Sequence, residues 1–313
     1  MTIKQIYQTA IALGEKADPR GTARIKKLLK KEREKFKKLS PKEKKLFDKE
    51  RLKHLYSDTR IHFGSLEKRV KSVMAGIDIG SAELMLAKEK GVDLVISHHP
   101  WGMGLANLQD VMDLQTDLLA LYGVPINVAE DLLEPRISEV ARGVAPLNHY
   151  EAVDFAKTVK MPFISVHTPA DNLCYAFLKK EIEKKEPETV EEVIDLLLKI
   201  PEYKTAAKMG MGPKIFVGKP ERRAGRVALT EITGGTEGSP KIYEWLAKAG
   251  IGTIIGMHMK EEHKKEAEKA HLNVVIAGHM ASDSLGFNLF LDEIEKRGVK
   301  IIPIGGLIRV KRI

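Results

Sequence analysis

The chain has 313 residues, 43% hydrophobic, 30% charged and 6% aromatic, which is enough apolar material for one large core or two moderate ones and excludes a disordered chain. A single cysteine, Cys174, excludes an internal disulfide, and no apolar run approaches the roughly 20 residues that cross a bilayer. The start, Met1-Thr2-Ile3-Lys4, lacks the apolar stretch of a signal peptide, so a reducing cytoplasm and no membrane partner are expected. The net charge of +9 is unevenly spread: residues 20–53 hold sixteen Lys or Arg against five Asp or Glu, leaving the rest of the chain slightly acidic.

In chain order, residues 1–56 read as helical. Ile3, Ile6, Tyr7, Ala10 and Ile11 have helical spacing, Asp18-Pro19-Arg20-Gly21 breaks it, and Ile25, Leu28, Leu29 and Phe36 form a second stripe. Ser40-Pro41-Lys42-Glu43 then starts a third helix with a capping serine, proline at the first turn and a capping-box glutamate. The expectation is a basic helical arm over 1–66, part of which packs on the body or on a neighbouring subunit through its narrow apolar stripe. Its Lys-rich face, residues 20–53, would also suit nucleic-acid phosphates.

From Val70 onward strand and helix alternate, the pattern of an α/β fold. Strands are expected at 73–78, 92–97, 126–128, 163–166, 214–217, 226–230, 253–255, 274–276 and 300–303. Between them come helices at 82–90, 108–122, 150–159, from Asp171 to about Lys185, at 189–199, and from Pro240, Glu261 and Ser284.

Three clusters of metal-ligand residue types directly follow strands, where an open parallel sheet binds its ligands. Ser97-His98-His99-Pro100 places two imidazoles at one strand end; the alternative is a pair of loop histidines satisfied by backbone and water. Gly278-His279-Met280-Ala281-Ser282-Asp283 puts an imidazole and a carboxylate four residues apart, on one face if a helix starts near His279. The alternative for Asp283 is a helix cap. In His167-Thr168-Pro169-Ala170-Asp171, the acid could likewise cap the next helix. A glycine-rich turn, Thr233-Gly234-Gly235-Thr236-Glu237-Gly238-Ser239, follows the strand at 226–230 and precedes a helix. Its backbone and side chains at Gly234, Gly235, Thr236, Gly238 and Ser239 are candidate anion ligands, although such turns are often only turns. Cys174 reads as a buried, inert thiol.

A strand ending in Ser97-His98-His99-Pro100, a later His-Thr-x-x-Asp at 167–171, the turn into Arg226-Val227-Ala228, and the terminal Gly278-His279-x-x-x-Asp283 resemble the Nif-three-like family, also called GTP cyclohydrolase I type-two homologues. The resemblance spans about residues 70–310. It implies two α/β lobes with a metal cleft between them, lobe one being about 67–150 with 272–313 and lobe two about 151–271. The basic helical arm lies outside this common pattern. The resemblance further implies two divalent ions (Zn, Mn, Fe or Co) held by His98, His99, Asp171, His279 and Asp283, and a toroidal homohexamer. The family usually has Glu where this chain has Asp283, and Asp283 is the natural bridging acid for paired ions. On this reading His167 is a catalytic residue that orients Asp171, and the protein is a metal-dependent hydrolase of a nucleotide or another phosphorylated small molecule. The rival reading is a metal-stabilised adaptor with basic arms. His258 and His263 are left between a cleft base and an exposed helix start.

Overall fold

A computed structural model describes residues 1–313. Nine strands form two sheets. The first has β1 (Arg60–Phe63), β2 (Ser72–Gly76), β3 (Leu94–Ser97), β4 (Phe163–Ser165) and β9 (Lys300–Ile304), in the spatial order β1-β4-β3-β2-β9. The second has β5 (Lys214–Val217), β6 (Arg226–Glu231), β7 (Ile251–Gly256) and β8 (Asn273–Ile276), in the order β5-β8-β7-β6. Within each sheet all pairings are parallel except at one edge, where β1 runs against β4 and β5 against β8. The central strands are continuous apolar runs such as Leu94-Val95-Ile96, fully buried, because helices cover both faces.

The mixed α/β architecture agrees with the expectation; its boundaries do not. Strand β4 lies in the first sheet, paired with β3, and β8 lies in the second, paired with β7, so both cross the expected lobe bounds. Residues 126–128 are not a strand but the start of a helix, Ile126–Val144, whose Ala129, Leu133, Val140 and Val144 are buried at helical spacing. A three-residue Ile-Asn-Val run is too short for periodicity to separate the two forms. The arm is also smaller than expected. The first helix, Ile3–Ala17, sends Ile3, Ile6 and Ala10 into the same core as Val73, Ile96 and Phe290, and the Val70 amide donates to the Met1 carbonyl. Residues 60–63, placed in the arm by the sequence, form β1.

Two helices, Thr168–Lys185 and His279–Glu295, cross in close contact. Gly286 makes this approach feasible: a Cβ there would sit 2.1 Å from the Ala170 carbonyl oxygen. Ala170 adjoins Asp171, and Gly286 is one helical turn beyond Asp283. The crossing therefore brings the two acids together.

Candidate metal centre

His98 and His99 continue past the end of β3, their amides donating to the carbonyls of Gly76 and Ile77 at 2.8 and 3.1 Å. That fixes the backbone while the His99 ring reaches the cleft and the His98 ring stays fully buried against Asp171 and Asp283. His167 follows β4, and His279 opens its helix directly after Gly278, whose φ of 106° is a left-handed-side conformation suited to glycine. Because the helix begins at His279, five residues before the expected Ser284, His279 and Asp283 do share a face, with Nε2 and Oδ2 3.3 Å apart.

Three histidines share one arrangement. His98 Nδ1 lies 3.1 Å from the Val166 carbonyl, His99 Nδ1 2.7 Å from Asp78 Oδ1, and His167 Nδ1 2.7 Å from Asp58 Oδ2. In the neutral ring, with Nδ1–H donating outward, each Nε2 carries the lone pair facing inward, the arrangement of a metal-binding imidazole. His98 Nε2 faces Asp171 Oδ1 at 3.3 Å and Asp283 Oδ1 at 3.5 Å. His99 Nε2 faces Asp283 Oδ2 at 3.3 Å. Two groups result: His98, Asp171 and Asp283 on one side, and His99, His279 and Asp283 on the other. Asp283 belongs to both, presenting a different oxygen to each.

The donor set fits a divalent cation. His98 Nε2, Asp171 Oδ1 and Asp283 Oδ2 are buried without a hydrogen-bond partner, a state that is rare and expensive unless a cation satisfies them. Their spacing agrees too, since a tetrahedron with bonds of about 2.0–2.1 Å has an edge of roughly 3.4 Å. The local field is strong. Burial pushes the His98 and His99 rings towards neutrality, but the facing carboxylates outweigh it and raise them to about 10 and about 9. For Asp283 burial acts upward, and the imidazoles of His98, His99 and His279 outweigh it, holding the carboxyl far below its usual range.

All five expected ligands thus converge. His167 differs from its expected role: its Nε2 is 3.8 Å from Asp171 Oδ2, beyond hydrogen-bonding distance, and it forms a further group with His98 and His99. The glycine-rich turn is also different. The Gly238 amide donates to the buried Glu231 carboxylate, Ser239 accepts from the Lys241 amide, and Thr236 donates to Glu237. Carbonyls of Gly234 and Thr236 accept from Gln115. Acids and carbonyls, rather than free amides, dominate this turn, so Gly238 and Ser239 are not anion ligands. Of the turn, Thr233, Gly235 and Thr236 line the cleft.

The cleft measures about 510 Å³, within the range of small-molecule sites. Its lining includes His99, His167, Asp171, His279 and Asp283 on the metal-ligand side and Glu231 and His258 from the second sheet, with no Lys or Arg. His258 lies with its ring 5.1 Å from that of His279 and its Nδ1 3.3 Å from Glu237 Oε1. Burial lowers its pKa, and Glu237 more than reverses that, raising it. His263 is instead buried in its helix, with Nε2 3.0 Å from the Gly238 carbonyl. Sequence reasoning missed Asp58 and Asp78. Asp78 follows the β2 strand end, a position that could have flagged it, whereas nothing in the spacing links Asp58 to a histidine 109 residues away.

No helix is long and apolar enough to cross a membrane. No family model matches the chain, and no curated protein matches it significantly. Among solved structures, a NIF3 superfamily protein from Sphaerobacter thermophilus is 29% identical, with a TM-score of 0.73 over 82% of this chain and 94% of its own. Reduced HcgD from Methanocaldococcus jannaschii, 15% identical, aligns over 79% of this chain and 88% of its own with a TM-score of 0.51, a likeness of fold. The first of these likenesses, together with the His98-His99 and His279-Asp283 motifs brought side by side, supports a Nif-three-like (NIF3) family for the chain.

Proposed function

We propose that the protein is a dinuclear metal-dependent hydrolase acting on a phosphorylated small molecule of about nucleotide size. The observation that carries the reading is the convergence of buried His98 Nε2, Asp171 Oδ1 and Asp283 Oδ2, with Asp171 and Asp283 also lining a cleft of about 510 Å³. His98 and Asp171 would hold one ion, His99 and His279 the other, with Asp283 shared and His167 completing the first group. Ions bound here would supply Lewis acidity and hydroxide near neutral pH.

The chain's own residues do the rest. Val166, Asp78 and Asp58 fix the three imidazoles with Nε2 inward, so little reorganisation accompanies binding. Because the lining has no Lys or Arg, a substrate phosphate would be held at the metal-ligand wall rather than by a Lys or Arg side chain. His258, steadied by Glu237, presents a polar ring from the facing wall, close to His279. We include a homohexamer in this reading, to be checked by light scattering.

The test is elemental analysis of protein purified without chelator, followed by a screen of phosphorylated metabolites with Zn, Mn, Fe and Co. Two ions per chain, lost in the His98→Ala/His99→Ala variant, with turnover that falls in Asp283→Asn much further than metal content, support the reading. Full metal occupancy in the double variant overturns the ligand assignment. Bound metal with no turnover above that of Asp283→Asn overturns the hydrolase.

A further inference from the structure

The helix Gly21–Lys38 divides its charges by face. Ile25 and Leu29 are buried, with Leu28, Glu32 and Phe36 half-buried along the same stripe. On this inward side the cations of the arm are matched: Arg24 pairs with Asp117 at 2.8 Å, and Arg51 with Asp110 at 2.9 Å and Glu32 at 3.3 Å. The outward side is different. Twelve of the sixteen basic residues between 20 and 53 are exposed, and ten of these have no carboxylate within 4.0 Å. Only two acids are exposed there. Glu34 lies 3.9 Å from Lys30, and Glu43 is used by the Ser40 cap.

Such a face repels itself, and the chain offers nothing to offset it. An ion-pair network of the heat-stable kind would interleave acids with the lysines. From the distal half of the helix onward, Phe36 packs on Phe47 with ring centroids 5.0 Å apart, but no residue of 30–38 or of the following Pro41–Leu46 helix is fully buried, so packing does not explain the exposed lysines either. We infer that the outward face of residues 26–45 binds the phosphate backbone of duplex nucleic acid without reading sequence. The helix of 18 residues is about 27 Å long, enough to follow several phosphates along one groove edge. Lysines without interleaved aromatic side chains neutralise phosphates but do not stack on bases. A membrane surface fits less well, because the apolar stripe is already used against the body and Leu46 is the one large apolar side chain of the arm that is strongly exposed. A protein partner would need an apolar or aromatic anchor that this face lacks.

The test is fluorescence anisotropy with labelled mixed-sequence DNA and RNA duplexes of about 24 base pairs, at about 50 and 200 mM salt, using the full-length, metal-loaded protein. With about four phosphates neutralised, affinity should drop on the order of 100-fold between the two salts. The variant Lys27→Glu/Lys31→Glu/Lys35→Glu/Lys38→Glu should lose binding at least about 10-fold at the lower salt, while melting temperature and metal content stay unchanged. The matching Lys→Gln variant, free of new acids, should fall between the two. Failure to bind either duplex at the lower salt overturns the inference. So does binding that the Glu variant leaves intact, or binding of phosphatidylserine vesicles without binding of either duplex. None of these results bears on the metal centre, which this face does not touch.

Discussion

Replacing Gly286 by Ala tests how the fold sets the metal centre. The added Cβ would lie 2.1 Å from the Ala170 carbonyl oxygen, 2.8 Å from its carbon and 3.1 Å from Cys174 Cβ. A tolerable C···O approach is about 3.3 Å, so the helices must part by about 1 Å. Alanine's better helix propensity returns up to about 1 kcal/mol, against about 1–3 kcal/mol or more for overpacking at a backbone that cannot rotate away. A net loss of about 1–2 kcal/mol lowers the melting temperature of a 313-residue chain by roughly 1.5–3 °C. The more informative effect is on metal. Asp171 and Asp283 ride on opposite sides of this crossing, whereas His279 and Asp283 share one helix. Since metal bonds tolerate only about 0.2 Å, the His98–Asp171–Asp283 group should lose its ion while the His99–His279–Asp283 group keeps most of its own. Calorimetry with elemental analysis reads both effects; an unshifted melting temperature with full metal content would refute the reasoning.

Further outcomes follow from the same geometry. Asp58→Asn replaces the charged acceptor of His167 Nδ1–H by a neutral amide oxygen, and should weaken metal binding or turnover by about 10- to 100-fold with the fold retained; wild-type affinity and rate would show that Asp58 only supports the core. In chelator-treated protein, His98 and His99 have pKa values raised to about 10 and about 9. The stability they contribute is therefore complete below about pH 6.5 and lost as pH rises through 9 to 10. Metal-free protein should then melt progressively lower between about pH 7 and 10, and saturating zinc should flatten that slope; a slope unchanged by zinc would separate these histidines from metal binding.

The candidate clusters were legible because each opens at or just beyond a strand end, where an uninterrupted apolar run such as Leu94-Val95-Ile96 announces both the strand and its terminus; joining them into one ligand set took the family resemblance. Local helical spacing sufficed for His279 and Asp283. What was not legible depends on contacts between distant segments. Strand β4 joins the first sheet and β8 the second through pairings that hydrophobic pattern does not encode. Asp58 reaches His167 across 109 positions. Ile3 and Ile6 showed a helical stripe, but a stripe does not say which core receives it, so the first helix was read as part of an arm. The glycine-rich turn was misjudged because its amides were counted without Glu231 and Glu237, acids whose positions emerge only when β6 and the loop fold together.

The central claim is that Asp283 joins two ions in one cleft. Anomalous diffraction from crystals of zinc- or manganese-loaded protein tests it most directly. The account predicts two peaks, one among His98, Asp171 and Asp283 and the other among His99, His279 and Asp283, about 3.5–4 Å apart with one Asp283 oxygen on each. A single peak, or two peaks that Asp283 does not join, would contradict it.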